Sequence, residues 1–158
     1  MTIVIGVGDR FRRDDGAGPA VVEALRGRTP DGVTLAVTDG EPARLIELWA
    51  GADLAIVVDA VRAEPSRPGR VHETGPDAVP RSGGSASSHT LGLGEAVALG
   101  RAMDRMPKEL RVLAIEGAQF GWGCELTPPV AAAVETVAER IATLLARRRT
   151  PHGGRDMA

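Results

Sequence analysis

Carboxylates and an imidazole brought to one place can hold a divalent transition metal, and this sequence offers Asp15, Asp59 and His89 for that role. Asp15 closes Gly6-Val7-Gly8-Asp9-Arg10-Phe11-Arg12-Arg13-Asp14-Asp15, a glycine-punctuated loop between an apolar run and a helical pattern. Its place fits two roles equally: a carboxylate serving free N–H groups at a helix start, or a ligand. Asp59 follows Leu54-Ala55-Ile56-Val57-Val58. A carboxylate leaving a central strand emerges where open α/β sheets build their sites, with a turn role as the alternative. His89 lies in Ser87-Ser88-His89-Thr90, between a loop of small residues and another helical pattern. Lone histidines are more often structural than ligating, but a crossover helix starting here would bring this one to the same edge. Imidazole selects Zn, Ni, Cu or Fe over hard cations, and a three-ligand set leaves positions open for water or substrate.

Other chemistries fit poorly. A dinucleotide fingerprint needs glycine where Phe11 stands, and a Walker loop needs a Gly-Lys-Ser/Thr that is absent, Lys108 being the only lysine. Gly84-Ser85-Ala86-Ser87-Ser88 is not a nucleophile elbow. Cys124 reads as a buried or incidental thiol, and Trp49 and Trp122 as core or rim packing. His72, on a short polar strand, and His152, in the C-terminal tail, are not placed to join the trio.

The elements that must position these residues show in the hydrophobic period. Ile3–Val7, Leu54–Val58 and Leu110–Ile115 are short, apolar and rich in β-branched residues, as strands buried on both faces are. Val33–Val37 is a fourth strand and Arg70–Glu73 a weak fifth, polar enough for an edge. Helical periods cover Pro19–Arg28, Ala43–Trp49, about Thr90–Arg105 and Pro129–Arg148. The third carries Gly92, Gly94 and Gly100, with Leu93, Val97 and Met103 as its core face. The fourth shows the stripe Val130, Val134, Val137, Ile141 and Leu144, with Thr127 to cap it. Alternating strands and helices predict a three-layer α/β/α sandwich around a mostly parallel five-stranded sheet. One domain over 1–148 is expected, with a polar loop at Pro76–Ser88 and a flexible tail at 149–158.

Composition narrows the function classes. The chain of 158 residues is 43% hydrophobic and 25% charged, ordinary for a globular domain. A net charge of −2, with arginines scattered among acids, gives no basic field for nucleic acid. The single cysteine rules out an internal disulfide framework and suits a reducing compartment, so a cytoplasmic location is expected. The N-terminus lacks a secretory pattern and no run reaches the ~20 apolar residues a membrane helix needs.

In order, Gly6-Val7-Gly8-Asp9, Asp14-Asp15-Gly16-Ala17-Gly18, Val57-Val58-Asp59-Ala60 and Ser87-Ser88-His89-Thr90-Leu91-Gly92-Leu93 resemble the nickel-iron hydrogenase maturation endopeptidases. The resemblance runs from Met1 to about Ala146. It implies a three-layer α/β fold and a metal-dependent endopeptidase that trims the C-terminal extension of a hydrogenase large-subunit precursor after nickel insertion. By the same resemblance Asp15, Asp59 and His89 bind metal and carry catalysis. The nickel comes with the substrate, zinc or cadmium being able to take the site in vitro, and the enzyme is a monomer. A substrate-recognition motif after the second strand is half kept, as Asp39-Gly40 followed by Glu41-Pro42, and Asp9 replaces an asparagine usual in the family. Asp14 is a candidate base by proximity. Two other readings stand beside this one: a receiver-like phosphoacceptor module, which also pairs acids after its first strand with an aspartate ending its third, and a catalytically silent metal-binding or scaffold protein of the same fold.

Overall fold

The computed structural model describes residues 1–78 and 88–157, with the backbone alone at 78, 88–91 and 149–157. The apolar runs form a five-stranded sheet of β1 (Thr2–Val7), β2 (Val33–Thr38), β3 (Leu54–Val61), β4 (Val71–Thr74) and β5 (Glu109–Glu116), ordered β2-β1-β3-β5-β4. Four strands run parallel, and β4 pairs antiparallel with β5 at one edge. The short polar segment around His72 therefore takes the edge its composition predicts. Of the loop expected at Pro76–Ser88, Pro76–Ala78 forms a short 3-10 turn and residues 79–87 lie outside the described residues.

The helices are α1 (Ala17–Leu25), α2 (Pro42–Trp49), α3 (Ser88–Ala102) and α4 (Pro128–Met157). α1 packs with α4 on one face of the sheet and α2 with α3 on the other. Successive strand residues point to opposite faces, so each strand feeds two cores. Val4, Ile56, Val58, Leu113 and Ile115 pack with α1 and α4, while Ile3, Ile5, Val57, Leu110 and Val112 pack with α2 and α3. Each such side chain contributes about 1.5–3 kcal/mol on full burial. Trp49 anchors the second core, fully buried, with its indole N–H donating to the Arg105 carbonyl at 3.0 Å.

The helices depart from their sequence reading in three places. Met103 lies beyond the end of α3 and is 48% exposed, so the core face of that helix is Leu93 and Val97 alone among the expected three. In α4 it is Leu145 that is buried and Leu144 that is partly so, because the stripe continues four residues on from Ile141. The backbone of α4 also continues as helix past Arg148 to Met157, into the segment read as a tail. The boundary read from the sequence marks where the apolar stripe ends, and the helical backbone runs past it although Pro151 donates no N–H and Gly153 and Gly154 are weak helix formers.

The strand order settles one alternative. Receiver modules order their strands 2-1-3-4-5, all parallel. Here the fourth strand is antiparallel and lies outside the fifth. Lys108 precedes β5 and pairs with Asp53 at 3.1 Å, beside the amino end of β3 and far from any strand-end aspartate. The phosphoacceptor reading is therefore discarded.

Candidate functional site

In this sheet the chain leaves β1 toward β2 on one side, while β3 lies on the other. The crevice between the carboxyl ends of β1 and β3 is the switch point at which such sheets bind ligands. The β1–α1 loop folds back over it as a 3-10 turn at Arg13–Gly16. Gly8 permits this: its φ is +144°, and a Cβ there would stand 1.9 Å from the Asp15 carbonyl oxygen. Gly18 lets α1 sit on the β1–β3 seam, since its Cβ would lie 2.5 Å from the Val58 carbonyl oxygen and 2.6 Å from that of Val7.

Asp15 is held in this turn, 7% exposed, with Oδ2 accepting the Asp9 N–H at 2.9 Å. The capping role open to it in the sequence falls elsewhere: Gly16 is the N-cap of α1, without a side-chain cap bond. Asp59 is 2% exposed, and its Oδ1 accepts the Ala60 N–H at 2.8 Å. It is not the last residue of β3. The ladder to β1 stops at Val58 while the ladder to β5 continues to Val61, so Asp59 stands where β3 parts from β1. It follows Ala55 and Val57 in the alternation, on the α2 and α3 side.

His89 is the second residue of α3; its side chain lies outside the described residues. One turn on, a Cβ at Gly92 would meet the Gly40 carbonyl oxygen at 2.4 Å. The start of α3 is thus packed against the loop after β2 that holds Asp39 and Gly40. In that loop Asp39 accepts the Glu41 N–H at 3.1 Å, and Glu41 caps α2 by accepting the Ala43 N–H at 3.1 Å, with Pro42 in the first turn. The Glu41-Pro42 pair is therefore a helix-start device. Among the described residues no group of three or more His, Cys, Asp or Glu side chains could hold a metal, and the His89 side chain is not among them.

Asp14 is built differently from its neighbour. Fully buried, it accepts the N–H groups of Ala118 at 2.8 Å, Gln119 at 3.0 Å and Thr127 at 2.8 Å, and the Thr127 hydroxyl at 2.8 Å. Burial raises its pKa, but the bonds from Gln119, Thr127 and Ala118 outweigh that and hold it below the ordinary carboxylate value. This is a fixed anion tying the β1–α1 loop to the β5–α4 loop, with its oxygens already engaged. The Thr127 hydroxyl expected to cap α4 is directed to Asp14 instead.

Glu116 was not singled out in the sequence, although the placement argument for Asp59 applies to it equally: it too closes a buried strand. It is 3% exposed and accepts the Arg67 N–H at 2.9 Å, and His72 Nε2 lies 2.5 Å from its other oxygen. The Arg67 N–H first, and His72 second, lower its pKa. His72 thereby pins the edge strand rather than joining the crevice. Of the two readings open for Cys124, buried or incidental, its exposure leaves the incidental one.

The chain has a three-layer α/β fold with buried carboxylates beside its switch crevice, and its strand order sets it apart from the receivers. The sequence profile of the hydrogenase maturation proteases (HycI) matches residues 19–144, and the chain belongs to this family of endopeptidases. It is 30% identical over 148 residues to the hydrogenase 2 maturation protease of Escherichia coli, covering 90% of this chain and 89% of that protein. Its fold is similar to that of the hydrogenase maturating endopeptidase HybD from E. coli, with a TM-score of 0.79, 28% identity and 93% of each chain covered. The maturation protease HybD from Thermococcus kodakarensis shares the fold at a TM-score of 0.72 and 22% identity, over 91% of this chain and 98% of that one.

Proposed function

We propose that this protein removes the C-terminal extension of a nickel-iron hydrogenase large-subunit precursor once nickel is in place, and that Asp15, Asp59 and His89 recognise the substrate's metal. The supporting observation is the burial of Asp15 and Asp59 at the β1–β3 crevice, with the helix that carries His89 starting at the same edge of the sheet. Two carboxylates and an imidazole suit a borderline divalent ion such as nickel, and zinc or cadmium would compete for the same donors in vitro. A metal bound there would act as a Lewis acid on the scissile carbonyl. The protein's own part is positional. Asp15 and Asp59 present fixed negative charge, Asp14 holds the loop under Asp15, and Asp39 and Gly40 lie beside the start of α3 as the recognition element. A base other than Asp14 is implied, since its oxygens are already engaged.

Replacing His89 by Ala tests the role of the trio. Cleavage of a nickel-loaded precursor should fall by at least the ~100-fold that losing an outer partner of a metal ligand costs, with the melting midpoint little changed. Undiminished cleavage would refute the metal-recognition role. No cleavage by the unaltered chain of any precursor encoded beside it would favour a silent scaffold.

A further inference from the structure

Beside the crevice, the β1–α1 and β5–α4 loops build a surface that the trio does not use. Gly123 donates its N–H to the Phe11 carbonyl at 2.9 Å, and Arg13 donates to the Gly123 carbonyl at 2.8 Å, so the loops meet as a short ladder. From this ladder Phe11 projects 51% exposed and Trp122 82% exposed. Large aromatic side chains left this open gain most when a partner covers them. Guanidinium groups lie over the rings: Arg10 over Phe11 at 5.1 Å, Arg12 over Trp122 at 5.9 Å and Arg62 over Phe120 at 4.5 Å.

What marks these arginines is that they are grouped beside aromatic rings and, like the scattered Arg67, Arg70, Arg105 and Arg147, carry no carboxylate ion pair among the described residues. Arg26, Arg28, Arg44, Arg101, Arg111, Arg140 and Arg148 each have a carboxylate partner. Among the described residues, none lies within ion-pair distance of Arg10, Arg12, Arg13 or Arg62. Nearby acids hold other groups: Asp9 accepts the Phe11 N–H, and Glu23 is paired with Arg26. The surface continues into a cleft of about 360 Å³, with Arg10 and Arg13 on its wall and Pro19, Val37 and Leu126 as apolar lining. A local cationic and apolar surface on a chain of net charge −2 calls for an acidic partner with apolar side chains. Guanidinium forks pair bidentately with carboxylates while their planes stay stacked on aromatic rings. Because the chain as a whole is acidic and the cationic surface is local, a peptide carrying a few carboxylates fits better than single-stranded nucleic acid, which brings a charge at every nucleotide and needs a positively charged groove to track its backbone.

We propose that this surface docks an acidic, apolar-bearing peptide segment of the precursor, alongside the cleavage site. The partner's identity rests on the proposed activity; the binding chemistry does not. Titrating the full chain with a short synthetic peptide of alternating Glu and Leu, while following tryptophan emission, reads the surface directly, since Trp122 is exposed and Trp49 buried. Emission should shift to the blue on binding, and affinity should fall as salt rises. The double variant Arg10→Glu with Arg62→Glu should bind at least about tenfold more weakly, equivalent to about 1.4 kcal/mol. The milder pair Arg10→Lys with Arg62→Lys should keep part of the affinity, which separates lost charge from lost fold, and Arg148→Glu on α4 should change nothing.

The proposal is overturned by any of four results: no shift with the acidic peptide, equal binding of an alternating Lys and Leu peptide, tighter binding of a single-stranded oligonucleotide, or undiminished binding by the double reversal. Precursor cleavage distinguishes the two readings. Cleavage that survives the double reversal at full rate overturns the docking surface alone, and peptide binding without cleavage of any precursor overturns the activity alone.

Discussion

Adjacent aspartates in the β1–α1 loop have been given opposite tasks by their surroundings. Asp14 receives hydrogen bonds from Ala118, Gln119 and Thr127 and serves as a structural anion, whereas Asp15 accepts the Asp9 N–H within its own loop and is the one proposed to meet the substrate's metal. Replacing Asp14 by Ala leaves those donors buried without an acceptor and should cost about 3 kcal/mol in urea unfolding. The effect should also depend on pH. Because the folded pKa of Asp14 lies below its unfolded value near 3.8, its stabilisation is present above that value and disappears as pH falls through the folded one. The Asp14→Asn variant should therefore lose less stability on acidification than the unaltered chain; equal acid limbs would remove Asp14 from this role. The sequence shows two neighbouring acids and a helix start, but not which carboxylate meets donors more than a hundred residues away, because those contacts are made by the tertiary fold. Glu116 was missed although its placement matches that of Asp59, and the reach of His72 to it depends on β4 pairing antiparallel with β5.

At the scale of elements, the crevice exists because α1 approaches the β1–β3 seam as closely as backbone allows. Gly18→Ala would push a methyl against the Val58 and Val7 carbonyl oxygens, an overpacking worth roughly 1–3 kcal/mol. It should lower both the unfolding midpoint and cleavage, since the same shift displaces the turn that carries Asp15; stability within error of the unaltered chain would refute the close packing. Strands and helices were legible because burial on both faces writes unbroken apolar runs, and one-sided burial writes a helical period. All five strands and four helices stand where those periods put them, with ends displaced by up to three residues except at the end of α4, which runs from the expected Arg148 on to Met157. What the periods do not carry is direction. Nothing in Val71-His72-Glu73-Thr74 distinguishes a parallel edge from an antiparallel one, so strand order came from the structure. Ends were blurred where a cap expected from local sequence, such as Thr127, was engaged at a distance.

For the whole molecule, the motifs that resembled the maturation endopeptidases fall after β1, at the parting of β3 and at the start of α3. No helix among the described residues is long and apolar enough to cross a membrane. The chain spans most of the length of the E. coli hydrogenase 2 maturation protease, at 89% of that protein. The central claim, that this chain trims a nickel-bearing precursor by recognising its metal, is tested most directly by intact-mass measurement. A large-subunit precursor is incubated with the purified protein, once loaded with nickel and once without. A C-terminal segment should be lost from the nickel-loaded precursor alone. Shortening of both forms, or of neither, would contradict the claim.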